Sequence, residues 1–216
     1  MEPSLPSRAR PAVRSDDGRL LRGRRSRKRI RDAARSLFLE QGFDATTLRQ
    51  IAARAGMGAS SIYRHIRAKE ELLVDELGEH QEEAWRRFRA QCDRSAPTRE
   101  RVRQFLDAEH ALLVQDPDLT IVALRATTHP DAPVARRVLA LQDRTIGLLA
   151  EILQAGRARG ELRRDADILV AARAIAHATH GARVAWANGL LDADACRQAI
   201  DSAAALLFDG IGAPSA

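Results

Sequence analysis

The 216-residue sequence predicts an all-α protein, in which a small N-terminal unit of three helices precedes a larger helical domain. Three observations support this fold class. Apolar residues recur at helical spacing through most of the chain, and no segment alternates for long enough with the period of two that is typical of a strand. The breaks between the periodic segments carry glycine, proline or asparagine, which commonly end helices.

The N-terminal unit contains three short predicted helices. The first begins near Arg27, ends at Gly42, and has one apolar face formed by positions 30, 33, 34, 37 and 38. Thr46 is a suitable N-cap for the second helix, which Gly56 ends. The third helix covers about 58–66.

Six further helices are predicted in the larger domain. Breaks at Ser95-Ala96-Pro97, Asp116-Pro117, His129-Pro130 and Asn188-Gly189 divide this part of the chain, and a fifth break covers 160–164. The helices between these breaks are expected at about 69–92, 98–115, 118–128, 133–159, 165–188 and 192–211.

Charge is distributed unevenly between the two parts of the chain. Residues 1–69 contain 17 Lys or Arg and six Asp or Glu, a net charge of +11; because the whole chain carries +6, residues 70–216 carry −5. This asymmetry predicts an N-terminal module that binds a polyanion, with nucleic acid as the favoured partner. Residues 1–22 lack periodicity and are predicted to form a disordered basic tail.

Ala52, Gly56 and Ile62 are spaced as a helix-turn-helix requires. The small Ala52 lets two helix backbones approach, Gly56 permits the positive φ of a tight turn, and the β-branched Ile62 fills the gap on the second helix. That second helix is then expected in the major groove of DNA. An ordinary αα-hairpin is the alternative, but it leaves the local positive charge unexplained.

Residues 31–73, RDAARSLFLEQGFDATTLRQIAARAGMGASSIYRHIRAKEELL, carry a family resemblance. They resemble the DNA-binding domain of the TetR family of bacterial transcription regulators, strongly over about 27–77 and beyond that only in the layout of further helices. The matching pieces are Gly42-Phe43, Thr46-Thr47, Ile51-Ala52, Ala55-Gly56, Ile62-Tyr63, His65, Lys69-Glu70 and Leu72.

The resemblance implies a set of DNA-contacting residues in a domain spanning 23–69. Thr47, at the start of the second helix, is expected to meet a phosphate through its hydroxyl and the free backbone N–H groups nearby. Arg49 faces away from the apolar stripe and is expected to reach a phosphate or a guanine edge. The other implied contacts are Ala59, Ser60 and Ser61 near the bases, Tyr63, Arg64 and His65 at phosphates or base edges, and Lys69 against the DNA backbone.

A basic segment, RGRRSRKRIR from Arg22 to Arg31, precedes the predicted first helix. Its cations, among them Arg25 and Lys28, are expected to lie along the DNA backbone or in a minor groove. The alternative is a solvated tail that supplies only non-specific attraction.

The sequence departs from the family pattern at two places. Gly58 stands where many members have a serine or threonine cap, and Ile66-Arg67-Ala68 replaces the usual Phe-Pro-Ser type of loop. The small residues at 59–61 also leave few long side chains for reading bases. Sequence preference is therefore expected to depend on Arg49, Arg64, methyl contacts and DNA shape.

The resemblance implies that residues 70–216 dimerise and bind a small-molecule effector. The last two predicted helices each have a face of small or apolar residues, and such faces are expected to form a two-fold interface that presents two recognition helices to two half-sites. Burial within one subunit is the alternative. The faces consist of Ile168, Ala171, Ala172, Ile175, Ala176 and Ala182 in one helix, and Cys196, Ala199, Ile200, Ala203 and Leu207 in the other.

Polar residues on otherwise apolar helices are the candidates for an effector pocket: Glu109, His110, Arg125 and His177. Arg125 is expected to pair with an acidic effector or with Glu109. His177 and His180 have the spacing of two metal ligands on one helix face, but no third ligand is identifiable, and neither a metal nor a cofactor is predicted.

The sequence thus favours a homodimeric regulator, most simply a repressor that an unidentified effector releases from double-stranded operator DNA. The sequence contains no run of about 18 apolar residues, so no membrane span is predicted. Its two cysteines lie far apart in the sequence, which argues against a disulfide framework and favours the reducing cytoplasm. The alternatives are a DNA-binding protein without effector and a helical-bundle metal enzyme. Enzyme activity is not predicted, because no P-loop, GxGxxG, ExxH or nucleophile motif occurs.

Overall fold

The computed structural model describes residues 15–212, with the side chains of 15–22, 24 and 133 excepted. Within this range the chain forms helices joined by short connections, and the single β-type pairing is a bridge between Leu162 and Gly212. The all-α prediction is confirmed. The helices are α1 Ser15–Gln41, α2 Leu48–Arg54, α3 Ala59–Ile62, α4 Glu70–Gln91, α5 Thr98–Leu113, α6 Pro117–Ala126, α7 Ala132–Ala158, α8 Ile168–Ala187 and α9 Ala193–Ile211.

Helix α1 begins at Ser15, well before the predicted start near Arg27. The segment 15–22 of the predicted disordered tail is therefore helical, whereas residues 1–14 lie outside the described part of the chain. Half of this segment is leucine or arginine, which have high helix propensity. Apolar periodicity did not reveal it because the only apolar residues of this segment, Leu20 and Leu21, are adjacent and show no helical spacing.

Two glycines set the turns of the N-terminal unit. Gly42 and Gly56 have φ values of +84° and +64°, the left-handed region in which glycine is favoured, as predicted. The cap of α2 differs from the prediction by one residue: Thr47 is the N-cap, and its hydroxyl accepts the N–H of Gln50. Thr46 is buried instead, and its hydroxyl donates to the carbonyl of Gly42 at 2.7 Å.

Helix α3 is shorter than predicted, with four residues that end at Ile62. The backbone N–H groups of His65 and Ile66 both donate to the Ile62 carbonyl, at 2.8 and 2.9 Å. The chain therefore tightens into a turn rather than continuing the helix to Ile66. Both isoleucines are buried, so this turn still anchors the recognition element to the domain.

Helix α4 joins the N-terminal unit to the rest of the chain, since it packs against α1 and also against α5, α6 and α7. One hydrophobic core continues from Ile30 in α1 to Phe208 in α9. An aromatic cluster of Trp85, Phe88 and Phe105 fixes α4 to α5, with ring centroids 5.3 to 5.8 Å apart.

The small-residue faces predicted for a dimer interface are partly covered inside the protomer. Helices α8 and α9 pack against each other and the core, and this covers Ile168, Ile175, Cys196 and Ile200. The faces are only partly covered within the protomer, and their contact with a second subunit stays a prediction. Four of their residues are half-buried: Ala182, Ala199, Ala203 and Leu207. Their outer surfaces keep exposed apolar side chains: Leu169, Val170 and Leu206.

No helix in the described range is both long enough and apolar enough to cross a membrane.

Candidate DNA-binding surface and effector cavity

The recognition element is held from beneath by α2. Ala52 and Ile62 are almost completely buried, and the backbone N–H of Met57 donates to the Ala52 carbonyl at 2.9 Å. The turn at Gly56 lies between them. The roles predicted for Ala52, Gly56 and Ile62 therefore match the geometry, which is that of two short helices joined by a tight turn.

The outer surface of this unit carries most of the predicted DNA-contacting side chains. Arg49, Ser60, Tyr63 and Arg64 are exposed, as is Ala59, while Ser61 and His65 are half-buried. Arg64 donates to the Ser61 hydroxyl at 3.1 Å, which orients its guanidinium along α3. Arg49 makes no ion pair with any described residue, so its charge is available to a phosphate or a base.

Thr47 lies at the predicted place, but its hydroxyl is already engaged. It accepts the N–H of Gln50 and donates to the Gln50 side-chain oxygen at 2.8 Å, and that oxygen also accepts the Thr47 N–H. These contacts form a capping box. A phosphate at the start of α2 therefore meets a capped helix end rather than a free hydroxyl.

Lys69 differs from the expectation that its ammonium meets the DNA backbone. The Nζ atom donates to the carbonyls of Phe43, Asp44 and Thr46, at 2.8, 3.2 and 3.1 Å. It also lies 4.2 Å from the centroid of the Phe43 ring. An ammonium has three N–H donors, and all three serve the loop between α1 and α2. Lys69 thus positions this loop, and its ammonium is not free for DNA.

The basic segment that includes Arg25 and Lys28 is part of α1. Both side chains are exposed, and Lys28 pairs with Asp32 one turn further on, at 3.2 Å. A helix about 10 Å wide does not enter a minor groove about 6 Å wide. Residues 22–31 are therefore a helix rather than an extended arm, and contact of their cations with DNA stays a prediction.

A narrow cavity lies in the larger domain between α4, α5, α6, α7 and α8. Its accessible interior is about 60 Å³, room for only a few groups of water size. The apolar part of its wall consists of Leu77, Leu113, Leu124, Val138, Leu141, Ile146 and Ala176.

Two buried polar contacts cross this cavity. Arg183 in α8 donates to the carboxylate of Glu109 in α5 at 2.8 Å, and both side chains are largely buried. Gln81 in α4 donates through its amide nitrogen to the Thr145 hydroxyl in α7 at 2.5 Å. These contacts join α8 to α5 and α4 to α7, four of the helices that line the cavity.

Of the predicted pocket residues, Glu109 and His177 line the cavity. His110 is buried elsewhere, with its ring centroid 5.7 Å from that of Trp186, and burial lowers its pKa. Arg125 is exposed and donates to the Ala187 carbonyl at 2.7 Å. The suggested pairing of Arg125 with Glu109 is therefore wrong, because the partner of Glu109 is Arg183.

Sequence reasoning missed His80, Gln81 and Arg183 as cavity residues. One signal was available, because Gln81 interrupts the apolar stripe of α4 four residues after Leu77 and seven before Phe88. A polar residue on a buried helix stripe needs a partner or a ligand. His177 and His180 both line the cavity, but no group of three metal-binding side chains occurs in the described range.

Helix α4 connects the cavity to the DNA-binding unit through Glu71. One oxygen of Glu71 accepts the backbone N–H groups of Arg67 and Ala68, at 2.9 and 3.2 Å, just beyond the recognition turn. The other oxygen accepts from Arg137 of α7, which also pairs with Asp75. Burial opposes the charged guanidinium, but Asp75 and Glu71 raise the pKa of Arg137.

A second connection runs through Glu76 of α4. Arg35 of α1 lies 3.4 Å from Glu76 and 2.6 Å from Asp116, next to the start of α6. His80, which lines the cavity, lies 3.6 Å from the same Glu76 carboxylate. Burial lowers the pKa of His80 although Glu76 opposes this shift, so the ring is neutral near pH 7.

Comparison with known proteins matches two parts of the chain. The sequence signature of bacterial regulatory proteins of the tetR family matches residues 30–75, and that of the tetracyclin repressor-like C-terminal domain matches residues 95–186. The HTH-type transcriptional repressor KstR of Rhodococcus jostii strain RHA1 is 31% identical over 160 residues, which cover 74% of this chain and 72% of KstR. The chain belongs to the TetR family.

Other relatives of this TetR-family protein are also regulators. KstR of Mycobacterium tuberculosis is 28% identical over 189 residues, or 86% of this chain and 81% of that protein. Among solved structures, Thermus thermophilus FadR in complex with lauroyl-CoA has a TM-score of 0.75 at 23% identity, with 88% of this chain and 97% of that chain covered. The TetR-family protein is thus a DNA-binding transcriptional regulator with the fold of these repressors.

Proposed function

We propose that the protein is a homodimeric repressor that leaves its operator when an acyl-CoA-type effector enters the cavity. The observation that carries this proposal is that α4 adjoins both the recognition turn and the cavity. This helix begins directly after the recognition turn, and three of its side chains, Leu77, His80 and Gln81, line the cavity. The effector class is suggested by similar proteins, because Thermus thermophilus FadR binds lauroyl-CoA and Bacillus subtilis FadR binds stearoyl-CoA.

The small size of the cavity explains how an effector would release the DNA. Its interior of about 60 Å³ is much smaller than the roughly 300–1,000 Å³ of a typical ligand site. An acyl chain therefore enters only if the surrounding helices separate. Movement of α4 or α7 changes the contacts of Glu71 with Arg137 and with the two N–H groups beyond the recognition turn. The effector thereby favours one arrangement of the recognition elements over another.

The DNA contacts expected from the exposed surface fall into two groups. Arg49 and Arg64 are the long cations next to the recognition element and are the candidates for guanine or phosphate contacts. Tyr63, 59% exposed, and the half-buried His65 suit phosphates. If Arg49 reads a base, Arg49→Ala weakens binding to the operator more than to random DNA; equal weakening of both would refute this role.

Dimerisation is proposed through the outer faces of α8 and α9. Leu169, Val170 and Leu206 are each more than half exposed there, and covering such side chains is favourable by about 25 cal/mol per Å². A two-fold axis next to these helices also gives the two recognition elements the symmetry of a palindromic site.

The test is selection of bound DNA from random fragments by the full-length protein, followed by fluorescence anisotropy of the selected duplex. Lauroyl-CoA and stearoyl-CoA are then added, with free coenzyme A as the control. We expect release by the thioesters and not by coenzyme A. Selected DNA that stays bound at saturating thioester would reject the effector class, while failure to select any DNA would reject the repressor.

A further inference from the structure

Three buried polar atoms, each in a residue that lines the cavity, have no hydrogen-bond partner within the described part of the chain: Oε1 of Gln81, Nδ1 of His80 and Nε of Arg183. All three atoms are buried, and Gln81 is only 5% exposed as a residue. Buried polar atoms are normally paired, so each unpaired one needs an explanation. Their presence on a single cavity points to a ligand that pairs with them.

The orientation of the Gln81 amide follows from its neighbour. Thr145 donates its only hydroxyl proton to the Leu141 carbonyl at 3.1 Å, so it accepts from Gln81. The nitrogen of the amide must then face Thr145, and the oxygen is left as an acceptor.

The other two atoms have equally defined roles. The Nε2 atom of His80 faces the Glu76 carboxylate, which favours a proton on Nε2 and leaves Nδ1 as an acceptor. Arg183 uses Nη2 for Glu109, so its charge is compensated and its Nε–H remains a free donor. These three atoms therefore offer two acceptors and one donor, and the charges of Arg183 and Glu109 are already paired.

We infer that the effector carries an uncharged oxygen function, a hydroxyl in particular, on the part of its chain that lies against Gln81, His80 and Arg183. A hydroxyl donates to an acceptor and accepts from the Nε–H, which is the combination that the wall offers. The inference rests on the proposed acyl-CoA effector and narrows that class to oxygenated acyl chains.

Other ligand groups fit this wall less well. A carboxylate would face two acceptors and the buried carboxylate of Glu109, and an ammonium would face Arg183. A plain alkyl chain would displace any water from the three polar atoms and leave them unpaired, which is unfavourable. Sites that hydrogen-bond a ligand hydroxyl discriminate strongly against the analogue that lacks it.

The test uses the full-length dimer and two kinds of probe. One is dodecanoyl-CoA, which is the lauroyl-CoA named above, and the other is a positional series of monohydroxylated dodecanoyl-CoA isomers. Affinities are measured by isothermal titration calorimetry. We expect at least one hydroxylated isomer to bind about tenfold more tightly than dodecanoyl-CoA or better, which corresponds to about 1.4 kcal/mol.

The variant Gln81→Met tests whether the preference for a hydroxylated acyl chain arises from Gln81 of the cavity wall. Gln81→Met keeps the length of the side chain but removes the acceptor, and Thr145 keeps its hydrogen bond to Leu141. We expect the affinities of this variant for dodecanoyl-CoA and for the preferred hydroxylated isomer to lie within about twofold of each other. A twofold difference corresponds to less than about 0.5 kcal/mol. The control is Gln91→Met, which makes the same exchange at an exposed position of α4 outside the cavity. Thermal melting confirms that both variants are folded.

The possible failures are distinguishable. If dodecanoyl-CoA binds as tightly as every hydroxylated isomer, the inference is overturned and the acyl-CoA effector stands. A preference that survives Gln81→Met also overturns it, because the acceptor would then lie elsewhere. If no thioester binds, the proposed effector class fails and the inference fails with it.

Discussion

Replacement of Arg137 by methionine tests the connection between the cavity helix α7 and the DNA-binding unit. The guanidinium contacts Glu71 and Asp75 of α4, and Glu71 in turn holds the N–H groups of Arg67 and Ala68. We expect Arg137→Met to lower the free energy of unfolding by about 2–3 kcal/mol, below the roughly 3–5 kcal/mol typical of a broken buried ion pair.

The magnitude follows from the burial of the two partners. The Arg137 side chain is 26% exposed and that of Glu71 is 6% exposed. Opposite charges about 4 Å apart attract by roughly 4 kcal/mol at an effective dielectric constant of about 20. Partial exposure of Arg137 screens this attraction, and methionine retains part of the packing of the arginine stem. Glu71 loses its cation but keeps two backbone donors, so its carboxylate is not stranded completely.

The assay is urea unfolding followed by circular dichroism, together with the effector concentration that releases half of the bound DNA. Arg144→Met is the matched control, because Arg144 also joins α7 to α4, through Glu82, but both of these side chains are more than 40% exposed. Such an exposed pair contributes about 0–1 kcal/mol. We expect Arg137→Met to alter the releasing concentration as well, whereas Arg144→Met leaves it near that of the unchanged protein.

One result would refute this reasoning. If Arg137→Met and Arg144→Met reduce stability and shift release by the same amounts, the buried pair has no special part in stability or in coupling. A double-mutant cycle with Glu71→Gln separates the pairwise energy from other effects of the substitution.

Three further predictions concern single positions. A methyl group at Gly156 would lie 1.9 Å from the Thr98 hydroxyl oxygen, so Gly156→Ala should lower the free energy of unfolding by about 1–3 kcal/mol. In the same helix, a methyl group at Gly147 meets nothing within 4 Å, so Gly147→Ala should raise the free energy of unfolding by about 0.5–1 kcal/mol. Urea unfolding measures both changes. Burial opposes ionisation of Glu161, but Arg159 and hydrogen bonds from Thr98 lower its pKa from 4.5 to about 2. Its contribution to stability is therefore complete above pH 4.5 and is lost as the pH falls towards 2, and Glu161→Gln should flatten the acid limb of a stability-against-pH curve. Lys69→Met should lower the melting temperature, yet leave the salt dependence of DNA binding unchanged; a shallower salt slope would instead indicate a phosphate contact.

The sequence was informative wherever a local rule decides the structure. Helical spacing of apolar residues located the helices of the larger domain to within a few residues, and Gly42 and Gly56 marked turns that require positive φ. The combination of Ala52, Gly56 and Ile62 identified the helix-turn-helix, because two crossing helices need those residue types at that spacing. Each of these signals depends on neighbours in sequence, which the chain itself displays.

Tertiary structure decided which partner each polar side chain has. Lys69 is an exposed cation by sequence, but three carbonyls from residues 43–46 take up its donors. Glu109 pairs with Arg183, 74 residues away, rather than with Arg125. The small-residue faces of α8 and α9 likewise proved to be partly covered within one protomer.

The sequence alone thus determined the fold class and the place of the recognition element, since these follow from periodicity and from motifs of fixed spacing, and its resemblance to the TetR family indicated the family. Only the folded structure identified the cavity, the unpaired polar atoms of its lining residues, and the ion pairs that link α7 to α4 and α1 to Asp116 just before α6. The physical reason is that hydrogen bonds and ion pairs form between the nearest suitable groups in space, and long-range packing of the helices sets those distances.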